Sequence, residues 1–290
     1  MALVRRSPCK VNFVLNVLGR RPDGFHELET LFFPVPLFDQ LHFEPALAGL
    51  TLTCSRPELP VDATNLVHQA ATKWFAAVRR PPGVRIHLEK RLPLAAGLGA
   101  GSANAAITLS ALNELFGAPL SLEELHTLAA SLGSDVNFFL QPNPALAFGR
   151  GERIEPLPKF ETLTGRALLL FHPGFGVPTP WAFRELADFP RQRDGKPGRA
   201  RDAARALLAG ELAAATPLWY NALEGPVLRK YPILALYQEF LRAAGAIGTL
   251  MCGSGSTTFA LFDCEGTARE VVPRFRTEFG EAGWLEVATL

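Results

Sequence analysis

The sequence predicts an α+β fold in two parts, and three observations carry that expectation. Strand-like and helix-like apolar patterns are mixed along all 290 residues with no internal repeat. A chain of this length buries a substantial core and more readily forms two modest domains than one. The apolar pattern also lapses at residues 159–163, just ahead of a new apolar run. The expected division is therefore residues 1–160 and 161–290.

The elements follow in order. "KVNFVLNVLG" opens as a strand, and "DQLHFEP" and "LTLTC" read as two more. "ATNLVHQAATKWFAAV" is a helix with Thr64 as its expected N-cap. Val84, Ile86 and Leu88 alternate with Arg85, His87 and Glu89 in the period of a half-buried strand. After a glycine-rich loop, Ala105, Ala106, Leu109, Leu112 and Phe116 recur at helical spacing, with Gly117 where a C-terminal cap belongs. Ser121 and Glu124 stand at capping-box spacing at the head of "SLEELHTLAASLG", which Gly133 stops. "ALAFGRGERIEPL" reads as a hairpin around residues 149–151. In the second half "RALLLF" is a strand, and residues 188–202 are rich in charge, Pro and Gly, the composition of a mobile loop. A helix at "PILALYQEFLRAAG", a Gly-Ser-broken run "IGTLMCGSGSTTFALF", a helix near "TAREVVPRFRTEFG" and a strand "WLEVATL" complete the series.

Composition excludes several classes. Net charge is +1, with acids and bases interspersed, so bulk charge does not hold a nucleic acid here, although a local anion site remains open. Cys9, Cys54, Cys252 and Cys264 lie far apart with no C-x-x-C pair, the usage of reduced cytosolic thiols, and no metal ligands are expected. The N-terminal stretch has no long apolar segment, and no run approaches the ~20 residues of a membrane span. The expectation is a cytoplasmic protein with no membrane or nucleic-acid partner.

"RLPLAAGLGAGSANAA", residues 91–106, is the stretch that asks for chemistry. Its glycines let amide N–H groups converge, and the helix that opens near Ser102 adds unsatisfied donors with partial positive charge. Such a site suits phosphate. The lysine of a Walker loop is missing after Gly101, and Gly97, Gly99 and Gly101 run as G-x-G-x-G, which also fails the dinucleotide fingerprint. A phosphate cradle and a plain strand-to-helix turn both remain open on these residues alone.

Taken together, "SPCKVNFVLNVLGRRPDGFHELETLF", "PLAAGLGAGSANAA" and "MCGSGSTTFALF" resemble, in order and distance, the three motifs of the GHMP small-molecule kinases. Lys10, Asn12 and the run from Arg21 to His26, with "GSDVNFFL", "GVPTPWAF" and "NALEGPV", resemble the branch that acts on a diphosphocytidyl methylerythritol. The resemblance implies a two-lobed fold of mixed sheets and helices with the active site in the cleft between lobes, one family domain in each half. It implies ATP with Mg²⁺, a small-molecule cytidyl substrate, transfer of the γ-phosphoryl group to a hydroxyl, and a monomer or weak homodimer. Another small-molecule kinase of the family, for homoserine, mevalonate or a sugar, and a non-catalytic ligand-binding relative are the alternatives.

Residue roles follow from the same resemblance. Pro93, Leu94, Ala95, Ala96, Gly97, Leu98, Gly99, Ala100, Gly101, Ser102 and Asn104 would wrap the ATP phosphates. Asp135 would accept the hydroxyl proton, and Lys10 would keep it ionised and screen the alkoxide. Phe25 and Phe183 would sandwich a cytosine ring whose edge His26 reads, with Asn12, Thr179, Gly253, Ser254 and Gly255 on the substrate's polar groups. Read without the resemblance, Lys10 is a solvated strand end, Asp135 a helix N-terminal acid, Phe25 and Phe183 core residues, and His26 a surface histidine. Cys9, Cys252, Phe25 and Asn137 depart from the commoner alanine, serine, tyrosine and proline. Ala95, Ala96, Ala100 and Ala103 stand where Gly or Ser is frequent, which predicts a stiffer loop held at negative φ.

Overall fold

The computed structural model describes residues 2–290. The strands are β1 (Leu3–Arg20), β2 (His26–Pro45), β3 (Gly49–Cys54), β4 (Gly83–Glu89), β5 (Ala145–Gly149), β6 (Arg153–Pro156), β7 (Ala167–His172), β8 (Tyr220–Asn221), β9 (Gly248–Met251), β10 (Thr258–Phe262) and β11 (Trp284–Thr289). The helices are α1 (Leu66–Ala77), α2 (Ala100–Leu115), α3 (Leu122–Ala130), α4 (Thr179–Glu185), α5 (Pro190–Arg193), α6 (Arg199–Leu208), α7 (Leu212–Ala215), α8 (Glu224–Lys230), α9 (Ile233–Ala243) and α10 (Glu265–Phe279).

The chain divides into two units that interleave in sequence. One takes the chain up to Cys9, Leu37–Leu92 and Gly99–Pro142; the other takes Lys10–Pro36, Pro93–Leu98 and Asn143–Leu290. This differs from a single cut at residues 159–163. The reason lies in β1 and β2, whose 18 and 20 residues are long enough to run through both units.

In the first unit β3 lies parallel to β4, and β4 pairs antiparallel with the end of β2, from Gln40 opposite Glu89 to Pro45 opposite Val84. Helices α1 and α2 pack on one another, with Trp74 fully buried and stacked on Phe116 at 5.3 Å between ring centres. The core also encloses an ion pair, Lys90 with Asp39. Burial pushes the Lys90 amine below its ordinary pKa, and the Asp39 carboxylate opposes that shift.

In the second unit a four-stranded sheet runs in the order β11, β7, β10, β9, all neighbours antiparallel. All six residues of β7 are buried, which is why "ALLLFH" is a continuous apolar run rather than an alternating one. Phe171, Tyr237, Leu241, Phe262 and Phe275 belong to the core that α9 and α10 close over this sheet. The rest of β2 pairs with β5, and β1 pairs in parallel with the short β8, Leu15 opposite Asn221.

Local signals correct three expectations. The N-cap of α1 is Asn65, not Thr64: the amide and hydroxyl of Thr64 are both held by Asp62 Oδ1, at 2.9 and 2.7 Å, so the extended residue whose side chain reaches Val67 N is the next one. Ala95 adopts φ +50°, so the expected restriction of the loop alanines to negative φ does not hold there. Residues 188–202 are not an open loop. They carry α5 and the start of α6; Gly195 N donates to Val17 O at 2.8 Å, and the buried Glu29 carboxylate accepts from Gly198 N at 2.8 Å at the head of α6. Tertiary partners on β1 and β2 supply the order that composition argues against. The capping box of Ser121 with Glu124 and the β5–β6 hairpin are both present as expected.

Candidate active site

Lys10 is the residue that most clearly departs from a surface role. β1 carries it into the second unit with only 3% of its surface exposed. Its Nζ donates to Asn12 Oδ1 at 2.7 Å and to Gly97 O at 3.2 Å, and it lies 5.1 Å from the centre of the Phe32 ring. Asn12 is fixed in turn, donating from Nδ2 to Thr30 Oγ1 at 2.8 Å, while the Thr30 hydroxyl donates to Val14 O. A buried polar head group needs such partners, because leaving its donors unsatisfied away from water costs free energy. The alternative of a solvated strand end is overturned.

The glycine loop reaches Lys10 through backbone. Lys10 N donates to Leu98 O at 2.9 Å, so Gly97 and Leu98 run alongside β1. Gly97 has φ +78°, and a β-carbon there would stand 2.0 Å from Cys252 O. The second glycine-serine loop, between β9 and β10, therefore packs its main chain directly on the first. Thr257 N donates to Ala96 O at 3.4 Å in the same contact. On the outer side, Gly176 abuts Ala95, where a β-carbon would stand 2.7 Å from the Ala95 methyl, and Ser254 Oγ meets Thr179 Oγ1 at 2.8 Å. Pro93 and Leu94 are half-buried at the head of this turn.

Beyond Leu98 the chain passes into the first unit. Gly99, in the left-handed region at φ +68°, is the N-cap of α2, and Ala100, Gly101 and Ser102 form its first turn, slightly earlier than the expected start near Ser102. Their amide groups have no partner four residues back within the helix, the arrangement that binds anions. Asn104 faces inward: its Nδ2 donates to Ser7 Oγ at 2.9 Å and to Asp39 Oδ2 at 3.1 Å. Asp39 Oδ1 accepts from Arg91 N and Leu92 N at 2.8 and 2.9 Å, so one buried carboxylate holds both ends of the glycine-loop segment. Asp135 is half-buried in the turn before the 3₁₀ segment Asn137–Leu140. The adjacent Asn137 is buried and meets His126 Nδ1 at 3.1 Å, which accounts for a polar residue there.

Of the expected base-binding residues, the structure brings His26 and Phe183 together, stacked at 5.2 Å between ring centres and 26° between planes. Phe25 is 54% exposed, with the Arg150 guanidinium 4.7 Å from its ring centre. Burial, then the nearby Arg20 and Arg193, hold His26 below the ordinary histidine pKa, with Asp194 opposing. That shift favours the neutral ring, in which one nitrogen donates and the other accepts.

Comparison with known proteins gives the family to which the chain belongs. The chain matches the GHMP kinases N terminal domain over residues 65–141 and the GHMP kinases C terminal domain over residues 200–281. It is 41% identical to the 4-diphosphocytidyl-2-C-methyl-D-erythritol kinase of Pelotomaculum thermopropionicum over 95% of this chain and 94% of that one. The chain belongs to the 4-diphosphocytidyl-2-C-methyl-D-erythritol kinase family of the GHMP kinases. The family member of Thermus thermophilus is likewise 41% identical over 94% of this chain and 92% of its own. A crystal structure of a 4-(cytidine 5'-diphospho)-2C-methyl-D-erythritol kinase superposes with a TM-score of 0.81 at 39% identity, covering 99% of this chain and 100% of that one. Homoserine kinase from Cytophaga hutchinsonii, with a TM-score of 0.75 at 19% identity, shares the GHMP kinase fold over 100% of this chain and 95% of its own.

Several positions that brace these loops escape a reading by residue type. Thr30, Gly176, Asn221 and Glu224 touch the loops or the residues that hold them, but each is unremarkable in composition. The segment "NALEGPV" was the available signal, since it holds Asn221 and Glu224. The half-buried Glu224 accepts through its carboxylate from Met251 N at 2.8 Å and Gln238 Nε2 at 2.6 Å, and desolvation raises its pKa above the ordinary value.

Proposed function

We propose that this chain transfers the γ-phosphoryl group of ATP to the 2-hydroxyl of 4-diphosphocytidyl-2-C-methyl-D-erythritol, a step of non-mevalonate isoprenoid synthesis. The observation that carries the reading is the seat of Lys10: a buried ammonium on the carbonyl of Gly97, in the turn of a glycine loop that runs into the N-terminus of α2. ATP is the phosphoryl donor of GHMP kinases. Phosphoryl transfer depends on positioning and charge neutralisation more than on covalent chemistry, and main-chain N–H groups with one fixed cation supply both.

In this reading residues 93–102 hold the triphosphate. Asn104 supports them from within, since its donors are spent on Ser7 and Asp39. Asp135 accepts the proton of the attacking hydroxyl, and Lys10 neutralises the alkoxide that develops. Phe25 and Phe183 stack on the cytosine ring, His26 reads its edge, and Asn12, Thr179 and the 253–255 turn bind the polar part of the substrate. Residues 1–160 and 161–290 correspond to the family's two domains, with the two matched segments on either side of that division.

Among the described residues no three His, Cys, Asp or Glu side chains stand together as a ready-made cation cage. We ascribe Mg²⁺ to the nucleotide, because it favours phosphate oxygens and retained water over all-protein sites. When bound it would supply neutralisation of phosphate charge. The chain's near-zero net charge supports small-molecule partners over nucleic acid, and no described helix is long and apolar enough to cross a membrane. A monomer or weak homodimer in the cytoplasm completes the proposal.

The deciding experiment is a coupled ATP-consumption assay with the cytidyl substrate against homoserine and mevalonate. Turnover with the cytidyl substrate alone is expected. Preference for homoserine or mevalonate would reassign the chain within the family, and no turnover with any of them would favour the ligand-binding alternative.

A further inference from the structure

We propose that Asn221 is a positioning residue for phosphoryl transfer: its carboxamide clasps the main chain of the 251–255 turn and through it fixes the seat of the Lys10 ammonium. The proposal rests on the reading of Lys10 and Gly97 given above. Asn221 is 1% exposed, and one side chain serves three main-chain groups. Its Nδ2 donates to Met251 O at 2.9 Å and to Gly253 O at 2.7 Å, and its Oδ1 accepts from Leu223 N at 2.9 Å.

The contacts close into a ring. Gly253 sits so near Gly97 that a β-carbon on it would lie 2.9 Å from Gly97 O and 3.5 Å from Lys10 Nζ. Gly97 O is the carbonyl that accepts from Lys10. From Asn221 the path returns to β1 directly, because β8 is registered on β1 with Leu15 opposite Asn221 and Ala222 N donating to Leu15 O at 2.9 Å. The strand that carries Lys10 thus also carries the anchor of the loop behind it. Gly253 and Gly255 both hold positive φ, at +52° and +89°, a backbone with little preference of its own for one conformation. The turn therefore needs an external clasp, and Asn221 provides it from one side while Glu224 holds Met251 N from the other.

Removing the carboxamide leaves two buried carbonyls unpaired, and the turn moves to satisfy them. Gly97 then loses its backing and Lys10 its fixed position. Thr179 still holds Ser254, so the substrate side of the turn keeps its support.

The test uses the full chain with Asn221→Ala, read by thermal unfolding, amide hydrogen exchange without ligand, and steady-state kinetics. A folded variant is expected with exchange at residues 95–98 and 252–257 faster by about tenfold or more. Its kcat should fall about 10²-fold, the cost of a displacement near 1 Å, with the cytidyl KM nearly unchanged. Faster exchange confined to residues 252–257, or a kcat within about threefold of wild type, overturns the proposal. If Asn221→Ala does not fold, Gly253→Ala replaces it, since its added methyl presses on Gly97 O and Lys10; unchanged exchange at 95–98 then overturns the proposal. Wild-type protein that never phosphorylates the cytidyl compound refutes the proposed function, and hydrogen exchange still decides the clasp.

Discussion

Gly97 and Cys252 meet main chain to main chain, so closely that a β-carbon on Gly97 would stand 2.0 Å from the Cys252 carbonyl oxygen. Two glycine loops distant in sequence are thereby packed as one body beside Lys10. No side-chain adjustment relieves such an overlap, because the obstructing atom belongs to a buried turn.

Gly97→Ala is accordingly expected to separate the loops and raise the KM for ATP at least about tenfold, combining a steric overlap with an unfavourable positive φ. Gly101→Ala makes the contrast. Gly101 has an ordinary helical backbone and only the Leu66 Cδ1 at 3.7 Å beside it, so its KM should barely move. Measured ATP KM and melting temperature for both variants check the assignment; equal effects would remove the loop-on-loop argument.

Asp135→Asn should reduce kcat by about 10² to 10⁴ while ATP and cytidyl binding stay near wild type, because the amide fills the site without accepting a proton. Single-turnover phosphorylation with binding by calorimetry separates the two. A kcat loss below about tenfold would make Asp135 a residue of the turn rather than the base.

Phe183→Ala removes the ring that His26 stacks on and should weaken cytidyl binding by about 1 to 3 kcal/mol, leaving ATP untouched. His26→Ala should additionally blur the choice between the cytidyl substrate and its uridyl analogue, since a hydrogen bond to a base edge discriminates more than a stack does. Initial rates with both analogues are the measurement. An unchanged cytidyl KM in Phe183→Ala would move the base elsewhere.

His172 gives a pH prediction with a definite sign. It is buried at the end of β7, with Nδ1 3.3 Å from Ser256 Oγ and 3.4 Å from Thr257 Oγ1, and burial holds its pKa below the ordinary value. The unfolded chain takes up a proton near the ordinary histidine pKa of about 6.5 and the native chain does so only at lower pH, so stability falls as pH drops below that range. His26 acts in the same direction. Urea midpoints at pH 7.5 and 5.5 should therefore differ less in His172→Asn than in wild type. An equal difference would show that His172 does not carry the effect.

How much of this was legible in the sequence depends on the range of the interaction. Caps, hairpins and glycine loops are written in a few adjacent residues: Ser121 finds Glu124 three positions on, and Gly151 sits in the turn of its own hairpin. The motifs around Lys10, the 97–101 glycines and the 253–255 turn were legible for the same reason. Even at short range a competing partner can shift the outcome, as when Asp62 takes Thr64 and leaves the cap to Asn65.

By itself, then, the sequence determined the α+β order of elements, the positions of the two glycine loops and the family resemblance, because backbone freedom and apolar period are local properties. Only the tertiary structure decided that Lys10 is buried on a carbonyl 87 residues away, that residues 188–202 are pinned by Glu29 and β1, and that Asn221 holds the turn behind the ammonium. Those outcomes follow from the register of long strands. The same residue types in "NALEGPV" acquire their role only when β8 lies beside Leu15, and no pattern within the segment encodes that pairing.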